Sequence, residues 1–236
     1  MPSTSFDVIG TCFHFDRPIA VIQSRLSPPD AKSLFFSWFY AAQRDFTYLS
    51  LCQSYKPIAS VLSSTFRRAC MTVGVDGARV TDDVVADVMS AFKSMEPREG
   101  LKNCFDGLRE IGFDVYAVTN GSIPVSLAYY HNSGIELAED HLLSCDTIKT
   151  AKPDPKVYST ASAHLDKMSA LDDNGQRWFV AAHAWDLIAA SKAGFKTAYL
   201  DFEEHDPCTS IFGEFDLYAK NMEDLLEKLK NVVLTG

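Results

Sequence analysis

A chain of 236 residues, 47% hydrophobic and 22% charged, has ordinary globular composition and enough length for one large domain or a core with a smaller cap. Its formal net charge of −9, with no Lys/Arg run, argues against nucleic acid as a partner and means that an anionic substrate must find local cations. The six cysteines show no CxxC spacing, the N-terminus lacks signal-peptide features, and no apolar run approaches the ~20 residues of a membrane span; a cytoplasmic protein without membrane contact is expected.

In chain order, residues 5–15 read as a buried strand whose regular part ends at Gly10-Thr11. Ser27-Pro28-Pro29-Asp30 reads as a helix entry with proline in its first turn. Phe35, Phe39, Ala42, Phe46 and Leu49 then recur at helical spacing, and Ile58, Val61, Leu62, Phe66 and Val73 suggest a second helix. Thr81-Asp82-Asp83 opens a third. Residues 16–97 are thus expected to be helical, with no strand.

Beyond about residue 100 the texture changes. Strands are expected at 114–118, 142–145, 178–182 and 197–200, and helices at 101–111, 122–130, 154–165, 184–193 and 222–232. Alternation of this kind predicts an α/β fold with a doubly wound parallel sheet. The core is expected over residues 1–15 and 98–236, with a helical cap at 16–97 inserted after the first strand. Ligands of such sheets bind beyond the carboxyl ends of the strands. That rule selects the segment from Asp7 to Thr11, Thr119-Asn120-Gly121, the Lys149/Lys152 region, and the segment from His183 to Asp186.

These clusters resemble, in order, the four motifs of the haloacid dehalogenase superfamily. The first is Phe6-Asp7-Val8-Ile9-Gly10-Thr11-Cys12-Phe13 and the second Thr119-Asn120-Gly121-Ser122. The third is Lys152-Pro153-Asp154-Pro155-Lys156-Val157-Tyr158. The fourth, Phe179-Val180-Ala181-Ala182-His183-Ala184-Trp185-Asp186, is similar to the form seen in the 2-haloacid dehalogenase branch. The resemblance spans nearly the whole chain and implies a Rossmann-like core with a cap.

It further implies that Asp7 is a carboxylate nucleophile, supported by Thr11 and kept ionised by Lys152, with Lys149 as competitor. Thr119 and Asn120 would bind the substrate's carboxylate or the departing oxygen, with Tyr158 in a supporting place. Asp186 would orient or activate the hydrolytic water, and His183 would take part in acid–base work. Trp185 would wall the pocket. Ile9 stands where the superfamily's phosphatases carry a second aspartate, and Ala182 and His183 stand where they tend to carry further acids for magnesium. Phosphoryl transfer, a metal and any other cofactor are therefore not expected.

One departure concerns the first cap helix. The family's dehalogenases have an arginine there that receives the leaving halide; the matching place is Tyr40, and Arg44, one turn further, is the candidate replacement. The expected function is metal-independent hydrolysis at an sp3 carbon of a small organic acid, through an ester on Asp7. An epoxide hydrolase of the epoxysuccinate type is the alternative that His183 and the missing arginine favour. A third reading is a scaffold reused for a non-hydrolytic natural-product step or a binding role, with which the aromatic stripe at Phe35, Phe36, Trp38, Phe39, Tyr40, Phe46 and Tyr48 is compatible. A small-molecule partner is expected. A homodimer through the cap helices and an internally packed monomer fit the stripe equally well.

Overall fold

The structure is a computed structural model that describes residues 1–168 and 176–235. The chain enters at β1 (Ser3–Asp7), makes a tight turn, and forms the two-residue β2 (Phe13–His14). Four helices follow: α1 (Asp16–Leu26), α2 (Ala31–Leu51), α3 (Ile58–Thr72) and α4 (Asp82–Phe92). Then β3 (Glu96–Pro97) returns antiparallel to β2 and closes the insertion. The remainder alternates: α5 (Leu101–Glu110), β4 (Asp114–Thr119), α6 (Ile123–Asn132), β5 (Leu142–Ser144), α7 (Cys145–Ile148) and α8 (Pro155–Met168). It ends with β6 (Arg177–Ala181), α9 (Ala184–Lys192), β7 (Lys196–Leu200), α10 (Thr209–Phe212), β8 (Leu217–Ala219) and α11 (Met222–Thr235).

The main sheet is six-stranded and parallel, in the order β5-β4-β1-β6-β7-β8. Both faces are covered, as parallel sheets require. Strand residues alternate between two cores: Val115, Ala117, Val180 and Ala182 face the side that also packs the insertion, α5 and α11. Tyr116, Val118, Phe179 and Ala181 face α8 and α9. Because β1 lies between β4 and β6, the strand order reverses there, one half of the sheet growing outward on each side, and Asp7 stands at that switch point.

The insertion owes its packing to rings. Phe15 lies 4.7 Å from Phe39 between ring centroids, Phe35 stacks near Phe39 and Phe92, and Trp38 meets Phe66 edge-on at 4.7 Å. Trp38 Nε1 donates to Leu62 O and Thr65 Oγ1, both at 3.2 Å, so α2 and α3 are held in register by a buried polar contact as well.

Several expectations need correction. Residues 16–26, expected only as part of the helical span 16–97, form the separate helix α1, and Pro28 and Pro29 lie in the link before α2 instead of in its first turn. The cap is Asp30, whose carboxylate accepts from Ser33 N at 2.9 Å. Val73 follows α3 as an exposed C-cap, and the two-residue β3 falls inside the span expected to lack strands. Cys145 begins α7 instead of ending a strand, and the short β8 and α10 carry too few residues for a periodic signal. No described helix is long and apolar enough to cross a membrane.

Candidate active site

Asp7 ends β1 almost fully buried, and three groups converge on its carboxylate. Thr11 Oγ1 donates to Oδ2 at 2.7 Å, and itself accepts from Ala182 N at 2.9 Å, which ties the β1 turn to the end of β6. Lys152 Nζ donates to Oδ1 at 2.9 Å. His183 Nδ1 stands 3.6 Å from Oδ2. The β1 turn needs Gly10: its φ is +91°, and a Cβ there would come 2.9 Å from His183 Cε1.

Lys152 comes from the segment between α7 and α8 and has no solvent exposure at its side chain. Its ammonium is shared with Asp186 Oδ2 at 2.8 Å. The other oxygen of Asp186 accepts from Tyr158. A buried charge without partners would be costly, so this Asp7–Lys152–Asp186–Tyr158 chain is satisfied as a unit. Burial alone would push the Asp7 carboxyl up; Lys152 and His183 outweigh it and hold the group well below the usual carboxylate range. Burial would pull Lys152 down, but Asp186 and Asp7 raise it, so it stays charged. Burial pulls His183 down as well, and its contact with Asp7, helped by Glu204 and Asp186, raises it above the ordinary histidine value. Burial raises Asp186, against the pull of Lys152.

His183 is the N-cap residue of α9, at the turn out of β6, and Asp186 lies in the first turn of that helix. This geometry puts the imidazole above Asp7 and the carboxylate beneath Lys152. Neither ring nitrogen of His183 has a hydrogen-bond partner among the described residues, although the side chain is only 2% exposed. Trp185 lies against it, ring centroids 5.3 Å apart.

Above Asp7 sits a cavity of about 20 Å³, room for about one water. Ile9, Asn120, His183 and Trp185 line it from the strand ends, and Phe39, Gln43, Ile58 and Leu62 close it from α2 and α3. Outside lies a mouth of about 680 Å³, bounded by Tyr40, Arg44, Tyr48, Trp185, Glu203, Glu204, Asp206 and Phe212. Gln43, Asn120 and Trp185 belong to both spaces. The roof is tied to the floor by Thr47 Oγ1, which donates to Lys152 O at 3.1 Å, and by Ala151 N, which donates to Ser50 Oγ at 2.9 Å.

The sequence-derived candidates thus divide. Asp7, Thr11, Lys152, Asp186, His183, Ile9, Asn120 and Trp185 are brought together. Lys149 is not: its ammonium lies over the Tyr55 ring at 5.7 Å, which leaves Lys152 as the partner of Asp7. Thr119 lines neither cavity; its hydroxyl accepts from Gly121 N at 2.9 Å and shapes the β4–α6 turn. Tyr158 reaches Asp186 instead of the ligand space, and both oxygens of Asp186 are engaged, so its place is behind Lys152. Tyr40 reaches only the mouth, and Arg44 pairs there with Asp45 at 2.9 Å, because one helical turn beyond Tyr40 the side chain leaves toward solvent. No arginine of α2 reaches Asp7.

Sequence reading missed Gln43, which carries no motif, and placed Phe39 in the aromatic stripe without singling it out as a site residue. It also missed Arg98, which donates to Gly10 O at 2.8 Å and pairs with Glu203, and Glu204, which accepts from Ala184 N at 2.9 Å. Both acids follow β7 at a carboxyl end of the sheet, so the strand-end rule could have found them. Among the described residues, no group of three or more His, Cys, Asp or Glu side chains is arranged to hold a metal ion.

Comparison with known proteins agrees with this geometry. The chain is 26% identical over 200 residues to an (S)-2-haloacid dehalogenase of Pseudomonas sp. (strain YL), covering 84% of this chain and 81% of that one. It is 25% identical over 229 residues to an (S)-2-haloacid dehalogenase of Pseudomonas fluorescens, covering 96% and 93%. A solved L-2-haloacid dehalogenase from Xanthobacter autotrophicus, with chloropropionic acid covalently bound, shares the fold at a TM-score of 0.77 and 18% identity, covering 98% of this chain and 99% of the other. The profile of the haloacid dehalogenase-like hydrolases matches residues 72–194, just over half of the chain. With its six-stranded parallel sheet and Asp7 at the switch point, the chain belongs to the haloacid dehalogenase-like hydrolases.

Proposed function

We propose that this protein hydrolyses a bond at an sp3 carbon without a metal, through an ester on Asp7, in the manner of the 2-haloacid dehalogenases it resembles. The carrying observation is the ion-paired carboxylate: Asp7 is ionised, buried, and aimed at an enclosed cavity, with Lys152 holding one oxygen and Thr11 the other. In this reading residues 1–15 and 98–236 form the core and 16–97 the cap. The cap must withdraw α2 and α3 for a substrate to enter, because the closed cavity holds about one water.

Asp7 Oδ2 attacks the carbon, a C–O bond forms, and the leaving group departs with the bonding electron pair. For a halide no proton is needed. The ester removes the negative charge of Asp7, and with it the main influence that raised His183. The imidazole then favours its neutral form and takes a proton from water, which adds to the ester carbonyl carbon. Collapse of the tetrahedral intermediate expels the alcohol, which receives that proton, and leaves Asp7 as a carboxylic acid; its proton passes to the neutral His183, which restores the carboxylate–imidazolium pair. Lys152 stays charged throughout, placed by Asp186 and Tyr158.

A second reading, epoxide opening, is favoured by the unpartnered nitrogens of buried His183. An alkoxide leaving group needs a proton, and a protonated His183 beside Asp7 can supply it and then serve as the base for water. The product is a diol instead of a hydroxy compound plus halide.

The test is a single turnover in ¹⁸O-water, first with both enantiomers of 2-chloropropionate and then with cis-epoxysuccinate, followed by mass analysis of the peptide that contains Asp7. An ester route puts the first label on Asp7 and the unlabelled oxygen in the product. Label appearing directly in the product would mean that water attacks the substrate carbon itself, and would end this reading. Halide or diol identifies the leaving group.

A further inference from the structure

The charges around the site are unevenly spent. Lys152 is shared between Asp7 and Asp186, Arg98 between Glu203 and Gly10 O, and Arg44 is paired with Asp45. At the inner cavity no cation among the described residues is left over for a ligand, because His183 is set against Asp7 at 3.6 Å; Arg44, which shares Asp45 with Arg68, borders only the mouth. Two acids at the mouth, Glu204 and Asp206, accept only from backbone N–H groups, of Ala184 and Cys208 respectively, and have no cationic partner among the described residues. An incoming carboxylate would pass two acids at the mouth and then meet the ionised Asp7 in the inner cavity, with no spare cation there to receive it. In that small, poorly hydrated inner space like charge is strongly unfavourable.

The neutral groups are available instead. Gln43 is half-buried at the neck between the two cavities, and its side-chain amide has no hydrogen bond to another described residue. Asn120 stands across from it, its Oδ1 committed to Lys152 N at 3.2 Å and its amide NH₂ free to donate. His183 faces the same inner space without a hydrogen bond, its charge set against Asp7 Oδ2 at 3.6 Å. The mouth beyond is large and walled by the rings of Tyr40, Tyr48, Trp185 and Phe212. Its volume exceeds that of the inner cavity more than tenfold, about 680 against about 20 Å³.

We infer that the substrate is uncharged beside the reacting carbon (a carboxamide, ester or alcohol, not a carboxylate), that Gln43 and Asn120 recognise that neutral oxygen, and that an apolar or aromatic tail occupies the mouth. The inference rests on the proposed chemistry of Asp7 and departs from the relatives in the charge of the substrate. Gln43 is the specificity-determining residue: an amide can donate to a neutral oxygen but cannot compensate a carboxylate's charge.

The experiment compares two matched pairs at neutral pH. Binding of the unreactive 3-phenylpropanamide and 3-phenylpropionate is measured by calorimetry, and bromide release from 2-bromo-3-phenylpropanamide and 2-bromo-3-phenylpropionate by kcat/KM. The amide is expected to win each pair by about tenfold or more. Gln43→Leu should narrow the ratio by weakening the amide arm alone, and Gln43→Arg should move the preference toward the carboxylate, a gain that misfolding cannot imitate. Tighter binding of the carboxylate, equal binding of the two, or no binding of either at millimolar concentration overturns the inference. Amide-selective binding without bromide release from either compound keeps the inference and counts against the Asp7 reading.

Discussion

On the floor of the site Lys152 Nζ stands 2.9 Å from Asp7 and 2.8 Å from Asp186, with no exposure of its side chain. At the mouth Arg44 makes an ion pair of similar length with Asp45, yet its side chain is 55% exposed. The distances are alike and the physics differs. In the desolvated floor each charge exists only because its neighbours compensate it, so no member can change alone. At the mouth water compensates whatever the protein does not, and the pair contributes little. In the proposed reading the floor therefore carries the reaction, while the mouth can be altered residue by residue and sets what is admitted.

The comparison can be broken at either end. The largest effect is expected from Asp7→Asn, which removes the nucleophile: turnover should fall by about 10⁴-fold or more, measured as halide or diol release, with no ester detectable by mass. Substantial residual turnover would move the chemistry elsewhere. Next is Lys152→Met, which strands two buried carboxylates. It should cost about 3–5 kcal/mol in denaturant unfolding and abolish activity as well. A variant as stable as the wild type would mean that the floor is hydrated and the contrast with the mouth false.

His183→Asn sharpens the distinction between leaving groups. With an epoxide the loss should be about 10²-fold or more in the ring-opening step. With a chloride that step should change little and only the ester should accumulate. The pH profile carries the same information. Because Asp7 raises His183, the protonated form persists above the ordinary value of 6.5, and epoxide opening should decline as pH rises through the higher folded value. The stability that this contact contributes is likewise present below 6.5 and lost over the same rise. Asp7 has the opposite sign: its contribution is present above 3.8 and lost only as pH falls toward its depressed folded value. A His183→Asn profile identical to the wild type in both rate and stability would remove the imidazole from the mechanism. The smallest effect is expected from Arg44→Ala: within about 0.5 kcal/mol in stability and no change in kcat. A large loss of turnover there would restore Arg44 as the cation that receives the leaving group.

Much of the floor was legible before any coordinates. Asp7 sits in an apolar strand, where a carboxylate without purpose is costly, and the groups that join it each follow a strand. Strand ends of a parallel sheet meet along one edge, so residues far apart in sequence could be collected by rule: Lys152 is 145 positions from Asp7 and yet bonded to it. The strand-end rule does not separate Lys149 from Lys152; the Lys-Pro-Asp-Pro context favours Lys152, and the structure agrees. Both lie beyond β5, and in the structure the left-handed turn at Lys149, φ 56°, accompanies its side chain's approach to Tyr55. The mouth was read least well. Helical spacing marks which face of α2 is apolar, but Tyr40, Gln43 and Arg44 lie within about one turn of each other. Their separation into mouth, neck and solvent depends on the tilt of the helix over the sheet.

Sequence by itself determined the parallel sheet, the helical insertion after the first strand, and the strand-end clusters that meet at Asp7; the role of Asp7 as nucleophile is what the family resemblance implies. Local periodicity and the carboxyl-end rule carry that information without reference to distant contacts. Tertiary structure alone decided that both oxygens of Asp186 are occupied, that Thr119 serves a turn, that Arg44 is spent on Asp45, and that Gln43 stands at the neck. Each of these depends on which partners a polar side chain finds once the helices have settled against the sheet. That choice is made by burial and geometry at separations of many residues, where spacing along the chain has no say.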